Sequence, residues 1–355
     1  MTNQSSRDCD ILVFIGRFQP FHIGHKAVLD AALERGEDVI VLVGSANRSR
    51  SLRNPWTFEE RAEMIAKVYP NEVNNTGQLH VLPLDDTLYN DDAWTTHVQR
   101  AVDGVVNHKG LWGRKIGLIG HAKDNTSYYL KMFPQWSSVN VKHEVGVFNA
   151  TDIRASYFRG APVIPHDIIP PAVGAYLKAY MHTDSFKTIV NEARWVRDYK
   201  ASWANAPFPP TFVTVDNVVV QSGHILLIRR GGHPGKGLLA LPGGFVDHDE
   251  TLLDSAIREL REETRLADKH GPFPMGKLKG FLYGQGVFDE PKRSVRGYTL
   301  THAFLFRLPA AKTLMKVMGG DDAVDADWYP IGSLDPTEVF EDHWFIINKM
   351  LDGIA

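Results

Sequence analysis

Through the first half of the chain, short apolar runs alternate with stretches whose apolar residues recur at helical spacing. Residues 11–15, 39–43, 79–84, 115–119 and 139–147 read as strands, and 25–34, 58–68 and 94–106 as helices between them. This alternation predicts an α/β domain with a doubly wound parallel sheet. Ligands of such sheets sit beyond the carboxyl ends of the strands, so the loops after residues 15, 43, 84 and 119 are the places to look. A further helix is predicted over 186–203. Residues 204–210 then hold three prolines in seven positions and read as a boundary. Beyond it the pattern becomes strand-rich (212–220, 224–230, 281–288 and 299–307), with one helix over 251–264, which predicts a mixed α/β/α domain. The expected organisation is a first domain over 1–185, a helix and connector over 186–208, and a second domain over 209–355.

Composition narrows the classes. The 355 residues carry 39 Lys+Arg against 42 Asp+Glu, a formal charge of −3, which leaves no electrostatic footprint for nucleic acid. The single cysteine, Cys9, excludes an intrachain disulfide and a cysteine-based zinc site. Residues 1–10 are polar and the apolar runs are strand-length, far short of the ~20 residues that span a bilayer. A cytoplasmic protein without a membrane partner is expected.

The first candidate site is Gly16-Arg-Phe-Gln-Pro-Phe-His22-Ile-Gly-His25, between the first strand and the first helix. A helix N-terminus offers free backbone N–H groups to an anion. Gly16 and Gly24 allow close backbone approach. His22 and His25, three apart, can face one phosphate, and Arg17 adds a charge-assisted donor. The bland alternative is a pair of solvated histidines beside a tight turn. The H-x-G-H motif in this context resembles the nucleotidyltransferase superfamily. Class I aminoacyl-tRNA synthetases share it, but their Lys-rich second signature is missing here.

More of the domain is similar to archaeal-type nicotinamide-mononucleotide (NMN) adenylyltransferase. The matching residues are Gly44-Ser-Ala46, Asn54-Pro55, Glu60-Arg61, Asn90, Trp94, Gly120-His-Ala-Lys-Asp124, Tyr128-Tyr-Leu130 and Phe133-Pro-Gln-Trp136. Thr151-Asp-Ile-Arg154 matches the family's second phosphate signature, with Asn149 where a Ser is usual; Thr151 also reads as a helix N-cap. The resemblance implies a Rossmann-like domain that joins ATP to NMN. It implies His22, His25 and Arg154 at the reacting phosphates, with Gly16, Arg17, Gly24 and Thr151 in support. Trp94 would stack on the nicotinamide with Asn90 nearby, against a plain core role for Trp94.

The second site is a carboxylate-rich helix. At ~100° per residue, Glu259 and Glu263 fall about 40° apart at one edge of an apolar stripe, and Glu262 about 60° further round. Such a cluster would repel itself unless a hard divalent cation, or simply solvent, relieved it. Gly244, Glu250, Arg258, Glu259, Glu262 and Glu263 fill the pattern Gly-x5-Glu-x7-Arg-Glu-Leu-x-Glu-Glu. That pattern resembles the Nudix box, which implies Glu259, Glu262 and Glu263 as ligands of Mg²⁺ (or Mn²⁺), with Glu262 or Glu263 also serving as base, or a base elsewhere. Arg258 would orient the glutamates and Glu250 support the loop. One departure is Arg265, where the family has a glycine that closes the helix in a left-handed conformation. Phe288-Asp-Glu-Pro-Lys-Arg293 and Arg296-Gly297 resemble a substrate loop of ADP-ribose hydrolases, which implies Arg293 and Arg296 as substrate contacts; the alternative is an ordinary charged hairpin.

Together the halves resemble a bacterial bifunctional family of NAD metabolism. The implied partners are ATP, NMN and ADP-ribose, and the relatives often assemble, so a homo-oligomer is compatible. The alternatives are a Nudix domain acting on NADH or nucleoside triphosphates, or serving as an ADP-ribose sensor. Sensors of that kind carry a further DNA-binding domain, and fewer than about 50 residues follow the last expected strand, too few for one.

Overall fold

A computed structural model describes residues 9–120, 132–141, 149–159, 164–268 and 270–352. The chain divides into two compact units, Met1–Val190 and Asn191–Ala355.

The first unit is built on β1 (Ile11–Gly16), α1 (Ile23–Arg35), β2 (Asp38–Val43), α2 (Phe58–Val68), α3 (Pro70–Asn74), β3 (Leu79–Pro83), α4 (Asp91–Lys109), β4 (Ile116–Gly120), β5 (Ser137–Asn140), α5 (Ala150–Tyr157), α6 (Pro171–Tyr180) and the start of α7 (Asp184–Ser202). Its five strands run parallel in the order β3-β2-β1-β4-β5. The order reverses at β1, so the crevice of this sheet opens where β1 and β4 end. Strands β1 and β2 are apolar almost throughout because helices cover both faces. Ile11, Val13, Ile15, Ile40 and Leu42 meet Val98, Val102 and Val105 of α4 in one core. Helix α4 starts three residues before the expected position because Asn90 caps it, its side chain accepting from Ala93 N. The expected strand over 139–147 is observed as Ser137–Asn140, and 142–148 lie outside the described residues. The matched block His121–Asp124 and Tyr128–Leu130 also lies outside them.

The second unit contains β6 (Thr211–Gln221), β7 (His224–Arg230), β8 (Leu239–Ala240), β9 (Gly243–Phe245), α8 (Leu252–Thr264), β10 (Ala267–Asp268), β11 (Gly271–Pro272), α9 (Met275–Lys279), β12 (Leu282–Phe288), β13 (Tyr298–Arg307), β14 (Ala323–Pro330) and α10 (His343–Asp352). The mixed sheet runs β12-β13-β6-β7-β14, with β13 parallel to β6 and β9 added against β6. The apolar stripe of α8 (Ala256, Ile257, Leu260) packs on Val215, Val219, Phe304 and Phe306 of this sheet. The last turns of α7 belong to this unit, where Tyr199 and Trp203 pack on the Phe212 ring at 5.9 and 5.7 Å.

The expected last strand, ending at residue 307, is not the last. Strand β14 follows and pairs with β7. Its Asp325 and Asp327 sit on exposed positions of an edge strand, which broke the apolar pattern.

Candidate active sites

In the first unit, the register sets Gly16 opposite Val43, so the loops after β1 and β2 emerge side by side, joined by Gly44 N donating to Gly16 O at 2.8 Å. At Gly16 a Cβ would stand 2.9 Å from the Phe18 ring, so a side chain there would push the loop open. His22 is the N-cap of α1 and only 4% exposed. Its Nδ1 accepts from Gly24 N at 3.1 Å, while its own N donates to His25 Nδ1 at 3.3 Å. With both Nδ1 atoms accepting, each neutral ring carries its proton on Nε2. The two rings stack, centroids 3.7 Å apart. Gly24 lets His22 fold back, since a Cβ would lie 3.0 Å from His22 Cε1. Phe14, Phe18 and Phe21 wall in the His25 ring.

Two buried guanidinium groups accompany the histidines. Arg17 is pulled down to about 10 by burial and by Arg53, and its Nη1 has no hydrogen-bond partner among the described residues. Arg154, 6% exposed, is pulled down to about 10 by burial and by Arg17 and Arg53. Its Nη1 donates to Gln19 O at 2.6 Å and its Nη2 to Thr151 Oγ1 at 3.1 Å. The N-cap of α5 is Asn149, whose Oδ1 accepts from Thr151 N at 2.9 Å, and not Thr151 as expected. Asn at the usual Ser position keeps the cap and frees the Thr151 hydroxyl to hold Arg154. Asn90 and Trp94 lie at the start of α4, on the same carboxyl edge of the sheet. The Asn90 carbonyl oxygen is engaged in the cap, and Trp94 packs 6.2 Å from the Phe133 ring in the core. Arg53, which faces Arg17 and Arg154 electrostatically, was not singled out from the sequence, and Arg61 was named there only within the matched Glu60-Arg61 pair, without a role.

In the second unit, pairing of β9 with β6 brings the box glycines against α8. Gly243 N donates to Glu263 Oε2 at 2.8 Å. Arg258 gathers the other carboxylates. Its Nε donates to Glu250 Oε2 at 2.9 Å, and its Nη1 to Glu259 Oε1 at 2.9 Å and Glu262 Oε2 at 3.1 Å. Burial pushes Glu263 well above 4.5, partly offset by the Gly243 bond and reinforced by Asp322; burial also raises Glu259. Glu262 is exposed. Arg265 closes α8 in the left-handed conformation, φ 44° and ψ 37°, as the family pattern implied for its glycine.

Two family models match the chain, a cytidylyltransferase-like one over residues 13–135 and a NUDIX domain over 210–350. A nicotinamide/nicotinic acid mononucleotide adenylyltransferase from Acinetobacter baylyi is 35% identical over 185 residues, 52% of this chain and 94% of that protein. An ADP-ribose pyrophosphatase from Methanocaldococcus jannaschii is 36% identical over 139 residues, 39% of this chain and 72% of that protein. The crystal structure of a bifunctional NMN adenylyltransferase/ADP-ribose pyrophosphatase from Francisella tularensis, with AMP and a manganese ion, matches at TM-score 0.89 and 34% identity over 98% of this chain and 100% of that one. The chain belongs to this bifunctional family. The expected fold of both halves, a parallel-sheet nucleotidyltransferase domain and a mixed-sheet Nudix domain, is the one observed.

The metal such an enzyme uses has a fitting set of donors. Glu259 and Glu263 are buried carboxylates, costly to ionise without a cation, and Gly244 leaves open a position where a Cβ would stand 2.4 Å from Glu259 Oε1. Hard oxygen donors suit Mg²⁺ or Mn²⁺. As they stand, Arg258 engages Glu259 and Glu262, and among the described residues no three His, Cys, Asp or Glu side chains converge closely enough to hold an ion.

The expected substrate loop divides in two. Arg293 is 5% exposed and donates to both oxygens of the buried Asp342, each at 2.9 Å, with Asp216 at 3.8 Å. That buried ion pair ties the loop to Asp342, so Arg293 is engaged within the fold, and removing one partner of such a pair is costly. Arg296 lies with its guanidinium 5.2 Å over the Phe245 ring, next to the box. Arg230, stacked 4.2 Å over Phe340, and Glu341 at φ 42° stand in no motif, although both interact electrostatically with Arg296.

Proposed function

We infer that the chain catalyses two reactions of nicotinamide-nucleotide metabolism. One joins the adenylyl group of ATP to NMN, giving NAD and pyrophosphate. The other hydrolyses ADP-ribose to AMP and ribose 5-phosphate. The observation that carries this reading is the match, over nearly the full length, to a bifunctional enzyme of this kind.

In the first reaction a 5′-phosphate oxygen of NMN attacks the α-phosphorus of ATP, the bond to the bridging oxygen breaks, and pyrophosphate leaves. No protein nucleophile is needed, so positioning and charge stabilisation carry the rate. His22 and His25 would donate their Nε2–H groups to the phosphoryl oxygens. Arg17 would supply to an anion a buried N–H that has no partner among the described residues, and Arg154 adds a second positive charge nearby. Thr151 sets the Arg154 fork, and Gly16 and Gly24 let the loop close.

In the second reaction water attacks a phosphorus of the diphosphate and the P–O–P bond breaks. Bound Mg²⁺ or Mn²⁺ would polarise the diphosphate and lower the pKa of the attacking water. Glu259, Glu262 and Glu263 would hold the cation, and one of these glutamates would take the water's proton. Arg296 would bind phosphate. We assign adenylyl transfer to residues 1–185 and hydrolysis to 209–355, joined by 186–208. No helix among the described residues is long and apolar enough to cross a membrane. Phosphorylated substrates, which do not diffuse through lipid, suit a cytoplasmic enzyme.

The test uses purified protein and Mg²⁺. NAD should form from NMN and ATP, and AMP should appear from ADP-ribose on chromatography. Absence of either product refutes the corresponding half.

A further inference from the structure

Arg61 is 1% exposed, in the second position of a Glu-Arg pair on α2. Its donors go to backbone carbonyls at the carboxyl edge of the sheet. Nε reaches Thr57 O at 3.0 Å; Nη1 reaches Arg17 O at 2.8 Å and Gly44 O at 2.6 Å; Nη2 reaches Ser45 O at 3.1 Å. One guanidinium therefore ties the loop after β1 to the loop after β2 and both to the start of α2. Burial, the largest influence, pulls its pKa down to about 10, so holding this charge inside is costly.

The backbone it holds is strained. Ser45, whose carbonyl it binds, has φ 55°, and Phe18, which follows the bound Arg17 carbonyl, has φ 52°. Neither is glycine, and such conformations persist only where surrounding contacts over-determine them. A planar fork with five N–H donors can bridge carbonyls on three segments at once; a lysine ammonium cannot match that geometry.

We propose that Arg61 is the positioning residue of the adenylyl-transfer site. It touches no reacting atom. It holds the Gly16–His22 loop against Gly44–Ser45, so that Arg17, whose Nη1 has no hydrogen-bond partner among the described residues, and the paired histidines stay in place. The inference rests on the adenylyl-transfer reading above.

The experiment compares the full-length protein with Arg61→Lys, Arg17→Ala and the double variant, reading NAD formation at varied NMN and ATP and, in each sample, ADP-ribose hydrolysis. A displacement of about 1 Å in a positioned group can cost roughly 100-fold, so Arg61→Lys should lower kcat about 10–100-fold at saturating substrate. Hydrolysis of ADP-ribose should be unchanged. In the Arg17→Ala background the same substitution should cost less than about 3-fold, because the group it positions is gone. A folded Arg61→Lys protein with kcat within about twofold of wild type, or losses that multiply in the double variant, overturns the proposal. Arg61→Gln, which leaves no buried unpaired charge, is judged by the same criteria if Arg61→Lys does not fold. If neither variant folds, Arg61 serves the fold alone and the proposal fails. A wild-type protein that makes no NAD would instead sink the adenylyl-transfer reading, whatever the variants do.

Discussion

Arg265→Gly isolates the one place where the Nudix box departs from its pattern. Arg265 sits at φ 44° and ψ 37°, its N donating to Arg261 O at 2.9 Å to close α8. A non-glycine residue in the left-handed region costs roughly 1–2 kcal/mol. Glycine removes that strain but returns about 0.5–1 kcal/mol through the greater freedom of the unfolded chain. The net expectation is a gain of up to about 1.5 kcal/mol. At ~2–4 °C per kcal/mol for a unit of this size, that is up to about 6 °C in Tm. Urea unfolding followed by a signal from the second unit should show a higher midpoint with an unchanged slope. Hydrolysis of ADP-ribose should hold, because the helix end already has the geometry a glycine would adopt. A loss of stability would refute this reasoning. It would mean that the Arg265 side chain, whose Nε lies 2.9 Å from where a Gly320 Cβ would be, contributes more by packing on that loop than its backbone costs.

Arg293→Ala should destabilise the second unit by about 3–5 kcal/mol, since it removes the bidentate partner of the buried Asp342 carboxylate. An unchanged Tm with a raised KM for ADP-ribose would return Arg293 to the substrate. Glu263→Gln should lower ADP-ribose hydrolysis about 100-fold or more while NAD formation continues; equal loss of both activities would contradict two separate centres. For the wild type, protons compete with the cation at carboxyls held above 4.5, so the Mg²⁺ concentration needed for half-maximal hydrolysis should fall as pH rises from about 5 to 7; a flat dependence counts against those ligands. In the first unit, burial opposes ionisation of Asp38, but hydrogen bonds from Lys109 and His80 outweigh it and hold the carboxyl below 3.8. Its stabilisation is present above the unfolded pKa and lost as pH falls through the folded one. Asp38→Asn should therefore cost about 1.5–3 kcal/mol at pH 7 and less near pH 3; an equal cost at both pH values would refute the assignment.

The sequence by itself determined what depends on local spacing. Continuous apolar runs placed β1 and β2, and the 3.6-residue period placed α2 and put Glu259 and Glu263 on one edge of α8, because side-chain direction follows from the helical repeat alone. The ordered motifs, H-x-G-H and the glutamate helix with its glycine, marked both sites before any contact was known. What needed the tertiary structure were facts set by partners far apart in sequence. The pairing of Arg293 with Asp342, 49 residues on, and its burial could not be read from the loop's own residues. Strand β14 exists because β7 pairs with it, in a charged sequence that offered no apolar run. Arg61 stood in a matched Glu-Arg pair, but nothing local told what it does. Its meaning comes from carbonyls up to 44 residues away, brought within reach only when two parallel strands end side by side. Burial and long-range pairing decide which charges face a ligand and which hold the scaffold, and neither is written in the spacing of residues along the chain.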